Sequence, residues 1–363
     1  MNRAEDYLDN LEQDRQNLVQ ALRDNNVEVQ DNETMTSLAN KVETKVNATI
    51  NKYFNNSTTY NDYSYGLWGV LVKKILSPEI RIDDLRGAFA NTKFLEEIKS
   101  KIILTNLNNT SMARTFSGCS NLINIPQIED TSHITDLSST YSGCAKVKEF
   151  PLITSHNITT MESTYSGCTA PSLPDLYTNN VTNMDYVCNS SGIVNFPNWN
   201  MEKVTRLLNA FQDCLQLEHV PDLYLPNATG ISSMFTRDKN LKTIGDIYTP
   251  NVVEPSNFLF GCTALRTIGV WTMDKIKNLS YGTFNGVNLE NIGGFKNLGK
   301  AGACTVPLAD MSRLTYQSAL NIINTVYDVS ALGYTCTIKF PTHIKSMLTA
   351  EDKALANSKG WNV

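Results

Sequence analysis

Thr115-Phe116-Ser117-Gly118-Cys119, Thr140-Tyr141-Ser142-Gly143-Cys144 and Thr164-Tyr165-Ser166-Gly167-Cys168 are one five-residue phrase written three times. Looser copies extend it both ways. Taking the aromatic or apolar slot as an anchor, the series is Phe89, Phe116, Tyr141, Tyr165, Cys188, Phe211, Phe235, Leu259 and Phe284, at intervals of 27, 25, 24, 23, 23, 24, 24 and 25 residues. Self-similarity at such a period marks a solenoid, in which each unit buries its apolar face only against its neighbours.

Each copy carries further apolar positions. One lies six residues after the anchor (Leu95, Leu122, Val147, Val194, Leu217, Leu241, Leu265), followed by Pro or Gly at Pro126, Pro151, Pro174, Pro197, Pro221, Gly245, Gly269 and Gly293. A short apolar run closed by a breaker reads as a strand. Another lies four residues before the anchor (Met112, Leu137, Met161, Met184, Leu207, Ile231), the spacing of one helix face. The expected unit is therefore a strand, a turn and a short helix or helical turn, giving an α/β solenoid. Nine strands at about 4.8 Å spacing would span roughly 40 Å.

The stretches Ile128 to Leu137, Asn180 to Met184 and Phe116 to Leu122 resemble the BspA-type leucine-rich repeat over about residues 85–300. Two units depart from that pattern: Cys188 stands in an aromatic slot, and the unit ending near Phe295 lacks the cysteine. The resemblance implies a right-handed solenoid with a binding or adhesion role and no catalysis.

The 363 residues carry a net charge of −5 with 18% charged residues, and the scattered Lys and Arg form no nucleic-acid footprint. No signal-peptide core follows Met1, and no apolar run is long enough to span a membrane. The expectation is assembly in a host cytoplasm without membrane insertion. Cys119, Cys144, Cys168, Cys214 and Cys262 share one slot, which Ser191, Asp238 and Val287 fill elsewhere. That favours small buried hydrophobes over disulfides. Asn-x-Ser/Thr triplets at Asn109, Asn157, Asn180 and Asn227 fit the repeat composition better than glycosylation.

The ends differ. Leu8, Leu11, Arg15, Leu18 and Leu22 make a short heptad seam with one polar member, expected to drive self-association; the competing reading is a lone amphipathic helix docked on its own chain. Asp6 to Leu11, continuing through Asn32 to Met35 and Leu38, resembles the N-terminal segment of phage tail-fibre and baseplate-associated proteins. It implies an anchoring or trimerising end. The expected organisation is a helical attachment segment at 1–45, a polar linker at 46–66, a leucine-rich repeat solenoid with an N-terminal cap at 67–311, and a C-terminal cap at 312–363. In the last, Thr315 to Val326 reads as an amphipathic helix, Tyr334 to Phe340 as a strand, and Thr349 to Asp352 as a capped helix start that Gly360 later closes.

His133, His156, His219 and His343 are isolated, and no metal-ligand or nucleophile–base spacing is present. No cofactor and no metal is expected. The one constellation of interest is Asp175-Leu176-Tyr177, Asp222-Leu223-Tyr224 and Asp246-Ile247-Tyr248, with Trp199 and Trp271 nearby. Stacked, these would form an aromatic and carboxylate strip for a host glycan or protein. The competing reading has the tyrosines stacked on one another over the turns and both tryptophans in the core. The expected function is a non-enzymatic phage tail protein, in the fibre or baseplate of the virion. It would be trimeric, bound to other tail proteins through its N-terminal segment, and would present the array to the host surface. A bacterial surface or secreted adhesin is the alternative. A carbohydrate-active enzyme, with Asp175, Asp222 and Asp246 as its acids, is the reading from a different class.

Overall fold

In a computed structural model, residues 79–363 are described except Ser280, together with Lys74, Ile75 and scattered positions between Gln16 and Ser37. The heptad seam, the tail-protein-like segment, the polar linker and most of the expected N-terminal cap lie outside the described residues. The array itself is a parallel β-solenoid with little helix.

The repeated phrase accounts for the coil. In Met112 to Cys119, the amides of Thr115, Ser117 and Cys119 donate to the carbonyls of Met112, Arg114 and Phe116, three residues back. The alternate amides of Met112, Arg114, Phe116 and Gly118 donate instead to Asp136, Ser138, Thr140 and Ser142 of the next coil, at 2.7–2.8 Å. Consecutive turns thus close locally with half of their amides and stack with the other half.

Such turns need positive φ at their third residue. Every anchor from Phe89 to Leu259 has one two residues before it and another two residues after it. Around Phe116 these are Arg114 (59°) and Gly118 (75°), around Tyr165 Ser163 (54°) and Gly167 (70°), and around Phe211 Asn209 (52°) and Asp213 (59°). This corrects the expected helix. A four-residue double turn and a helix both bring residues i and i+4 to one face, and two apolar positions cannot separate them. An α-helix would keep its amides within the unit and leave none for the stack. Only the Phe284 unit contains a helix, α1 at Tyr281–Phe284.

The other residues of the phrase bind coil to coil. Thr140 Oγ1 donates to Leu137 O and also lies 2.9 Å from Met112 O of the preceding coil; Thr115 and Thr164 repeat the arrangement. The thiols of Cys119, Cys144, Cys168, Cys214 and Cys262 donate to the preceding anchor carbonyl at 2.9–3.2 Å. All eight cysteines are free and buried. Burial pushes the Cys119 thiol up to about 11 and that of Cys168 to about 12, so both stay protonated donors. The anchor rings form a column, with Phe89–Phe116 at 5.1 Å, Phe116–Tyr141 at 6.0 Å and Tyr141–Tyr165 at 5.6 Å. Where Cys188 interrupts it, Trp199 reaches in from the opposite wall and stacks on Tyr165 at 6.0 Å. In the same coil Ile193 is buried and Val194 is 45% exposed, so the expected inward position of Val194 is wrong by one residue. That coil reaches its inward slot one residue sooner after the anchor than Leu122 does in its own, because Gly192 replaces a longer turn.

Asp238 stands in one of the cysteine slots. Its Oδ1 accepts from Cys214 N at 2.8 Å, while its buried Oδ2 has no partner. Burial, the larger effect, raises its pKa well above the usual carboxylate range. The folded chain therefore holds it neutral, whereas the unfolded chain ionises it above about pH 4. Its contribution is intact below that pH and is lost as pH rises towards the folded pKa. Asp238→Cys restores the pattern of the other coils and removes an unpaired buried oxygen. We expect it to stabilise the protein by about 1–3 kcal/mol at pH 8 and by much less at pH 4, as read by denaturant melts at the two values.

The strand side is less uniform than the repeat suggests. All strand pairings among the described residues are parallel. β1 (Lys74–Ile75) pairs with β3 (Glu97–Ile98), and β2 (Glu79–Ile82) with β4 (Lys101–Leu104) and then β5 (Ile128–Glu129). A second sheet joins β6 (His219–Val220), β7 (Leu223–Tyr224), β8 (Thr243–Ile244), β9 (Ile247–Tyr248), β10 (Thr267–Thr272) and β11 (Asn291–Lys296). The coils containing Pro151, Pro174 and Pro197 have no strand there, although Pro221 in the same slot stands between β6 and β7. On another wall, single parallel bridges run without a break from Ser111 through Asp136, Thr160, Asn183 and Arg206 to Gly230.

Beyond β11 the chain changes. β12 (Thr305–Pro307), β13 (Cys336–Lys339) and β14 (Trp361–Asn362) form a separate sheet. It alternates with α2 (Tyr316–Thr325), α3 (Thr342–Met347) and α4 (Ala350–Ser358). Thr349 and Asp352 form a capping box on α4, and Gly360 follows it at φ 79°. α2 does not continue the ladder. It lies along the free edge of β11 and offers that edge its own side chains. Ser318 Oγ accepts from Ile292 N at 2.9 Å and donates to Glu290 O at 3.0 Å. Asn321 Nδ2 donates to Ile292 O at 3.0 Å, and Thr325 Oγ1 accepts from Phe295 N at 2.9 Å.

Candidate recognition surface

The expected strip sits on the strand side, and the structure divides its members. In β7 and β9, Leu223 and Ile247 point inward, so Tyr224 and Tyr248 point out. The two rings stack at 5.1 Å and 12°, at 56% and 39% exposure. Tyr177 does not join them, because Asn200 occupies the coil between. It stacks on His156 instead, at 3.6 Å. Sequence reasoning had no signal for His156, which lies on the preceding coil outside the Asp-Leu-Tyr phrase.

The carboxylates have structural partners. Asp222 Oδ1 accepts from Asp246 N at 2.8 Å, and Asp246 Oδ1 from Val270 N at 2.7 Å. Each thus covers an amide of the next coil. Gly245 and Gly269 leave the room for this, since a Cβ on either would run into the Oδ1 of Asp222 or Asp246. Asp175 is exposed and caps nothing. The three acids accordingly form no convergent set.

The tryptophans leave the expected strip altogether. Trp271 is fully buried with Nε1 donating to Thr249 Oγ1 at 2.8 Å, and Trp199 is 6% exposed with Nε1 donating to Pro174 O at 3.2 Å. Both fill core slots opposite the anchors, because the strand-side column that holds them is inward-facing in every coil.

At β6 is an open depression of about 430 Å³, with Val194 to Phe196 on one side and Glu218 to Pro221 on the other. There β6 is the edge of its sheet. Glu218 is bound by Lys242 Nζ at 2.5 Å, which holds its carboxyl below the usual range. His219 Nδ1 lies 2.8 Å from Thr243 Oγ1. Among the described residues no group of three or more His, Cys, Asp or Glu could hold a metal ion. No helix among them is long and apolar enough to cross a membrane.

Four overlapping stretches, 83–195, 110–222, 148–245 and 188–291, match the family model described as "Mycoplasma protein of unknown function, DUF285". Together they span 83–291, more than half of the chain. The chain belongs to the DUF285 family. This fits a BspA-type repeat protein. The overlap of the DUF285 matches follows from the coils, since each window of the array resembles the next. No curated protein matches the chain.

Proposed function

We propose that this DUF285 chain is a non-enzymatic structural protein of a phage tail, in the fibre or baseplate, that displays its solenoid for attachment to the host surface. One observation carries the reading: a segment at 6–38 that resembles phage tail proteins precedes an array with a repetitive interior and a variable exterior. The inward columns repeat in kind, whereas the outward column reads Tyr177, Asn200, Tyr224, Tyr248. Stacked exposed tyrosines offer large contact area at low entropic cost. In this reading the N-terminal segment trimerises and holds other tail proteins, and the tyrosine pair meets a host glycan or protein. A bacterial surface or secreted adhesin is the second reading, favoured by the family description, which names Mycoplasma proteins.

Mass spectrometry of purified virions and of bacterial envelope fractions separates the two. Recovery only from envelopes removes the tail assignment. For the surface, Tyr224→Ala with Tyr248→Ala is expected to weaken host-cell binding by about 2 kcal/mol, roughly thirty-fold in Kd, with the melting temperature little changed. Unaltered binding would exclude the tyrosine pair. Turnover of host glycans that Asp175→Asn, Asp222→Asn and Asp246→Asn abolish would instead establish an enzyme.

A further inference from the structure

We propose that Cys304 and Cys336 are a site of disulfide formation by exchange with a glutathione-type disulfide, and that the bond fastens the loop carrying α2 to the end of the solenoid. Their sulfurs are 3.6 Å apart. The residues that follow them, Thr305 and Thr337, are paired in register between β12 and β13, and Thr337 N donates to Cys304 O at 3.0 Å. Opposed residues on adjacent strands lie about 4.8 Å apart, inside the Cα window of disulfides at about 4.4–6.8 Å. Closure requires the sulfurs to approach by about 1.5 Å, which side-chain rotation supplies.

The cysteines of the repeats are neighbours in the stack too, yet they are not poised this way. Each of those thiols is directed at a carbonyl of the preceding coil. Cys304 Sγ is directed at Cys336 Sγ, and Cys336 Sγ keeps only a long contact of 3.8 Å to Gly302 O. Access is also different. Cys304 follows exposed Ala303 and a turn held by Gly299 and Gly302, at φ 95° and 146°. A Cβ built on Gly302 would meet no atom within 4 Å, so this side of the pair opens without breaking the core.

The exchange balances. The Cys304 thiolate attacks one sulfur of the glutathione disulfide, forming a mixed disulfide and releasing one glutathione thiolate. Cys336 then attacks the Cys304 sulfur, forming the internal bond and releasing the second. The two protons from the protein thiols end on the two glutathiones. Two protein thiols are oxidised and one glutathione disulfide is reduced. Burial pushes the Cys304 thiol up, so the first step quickens as pH rises. The ring formed contains all of α2, the helix that occupies the β11 edge. A cross-link there limits the freedom of that helix to leave, and oxidising surroundings outside a cell are where it would form.

The test uses the reduced full-length chain incubated with oxidised glutathione at pH 8. Remaining thiols are then alkylated and the peptides mapped without reduction. The expected result is one cross-linked pair, Cys304 with Cys336, and loss of two of the eight free thiols. The rate should rise between pH 7 and pH 9, and the melting temperature should increase by several degrees in a manner reversed by reductant. Cys336→Ser should stop the reaction at a glutathione adduct on Cys304. Eight thiols still open to alkylation, a different cross-link, or a wild-type chain that halts at the adduct would each overturn the proposal, and none depends on a variant folding.

Discussion

Replacing Ser318, Asn321 and Thr325 together by alanine is expected to destabilise the protein by about 3–6 kcal/mol and to make it associate through the end of its array. Three residues on one face of α2 take the place that the next coil would have. They serve Ile292 N, Ile292 O, Glu290 O and Phe295 N along β11. Alanine supplies no partner for any of these, and a buried unpaired backbone group costs about 1–3 kcal/mol. An uncovered edge strand is also a template for another chain. Light scattering should show growth of large species with time, and hydrogen exchange should quicken at Ile292 and Phe295 before it does at the anchor coils. Asn324→Ala, on the exposed side of the same helix, should do neither. If the triple variant melts and sediments like the parent, the helix covers the edge by apolar packing alone and its polar stripe is incidental.

How much of this was legible depends on which residues recur. Thr-aromatic-Ser-Gly-Cys repeats because each member faces the same partners in every coil, so its period announces a solenoid. The conformation within the coil was less open to reading. Met112 and Phe116 share a face in a helix and in a double turn alike, and the deciding sign was the residue two before and two after each anchor. Gly118 and Gly143 give that sign plainly. Arg114, Tyr186 and Arg237 conceal it, since nothing in those side chains favours positive φ.

The recognition strip was partly legible for the same reason. The Asp-Leu/Ile-Tyr phrase places Tyr224 and Tyr248 in one column, where they stack. It cannot say that Asp222 and Asp246 are bound to the amides of the next coil, because those partners lie 24 residues away. Nor can it distinguish Trp271 as core from Trp271 as surface. That depends on strand parity, and the proline coils obscure the parity. The polar stripe of α2 was invisible from sequence. Ser318 and Thr325 read as the weak side of an amphipathic helix until the β11 edge is laid against them.

Gly269→Ala is the second large effect, expected at about 3–5 kcal/mol. A Cβ at this position would stand 2.7 Å from Asp246 N and 2.7 Å from Gly245 C, both backbone atoms of the preceding coil. Real Cβ atoms do not tolerate such contacts, and neither neighbour can rotate away. Relief requires separating the coils, which stretches Gly269 N to Gly245 O at 3.1 Å and Val270 N to Asp246 Oδ1 at 2.7 Å. Overpacking costs about 1–3 kcal/mol and each lost hydrogen bond about 1 kcal/mol more. Gly333→Ala is the control: its φ is 74° but a Cβ there meets nothing within 4 Å, so only backbone strain of about 1–2 kcal/mol applies. Denaturant melts of the two variants decide the point, and equal losses would mean that the coils can part at Gly269 without cost. Asp246→Ala removes the carboxylate that also occupies this space, yet it leaves both backbone contacts in place. It should therefore rescue Gly269→Ala only slightly, which distinguishes a glycine required by coil spacing from one required by the aspartate beside it.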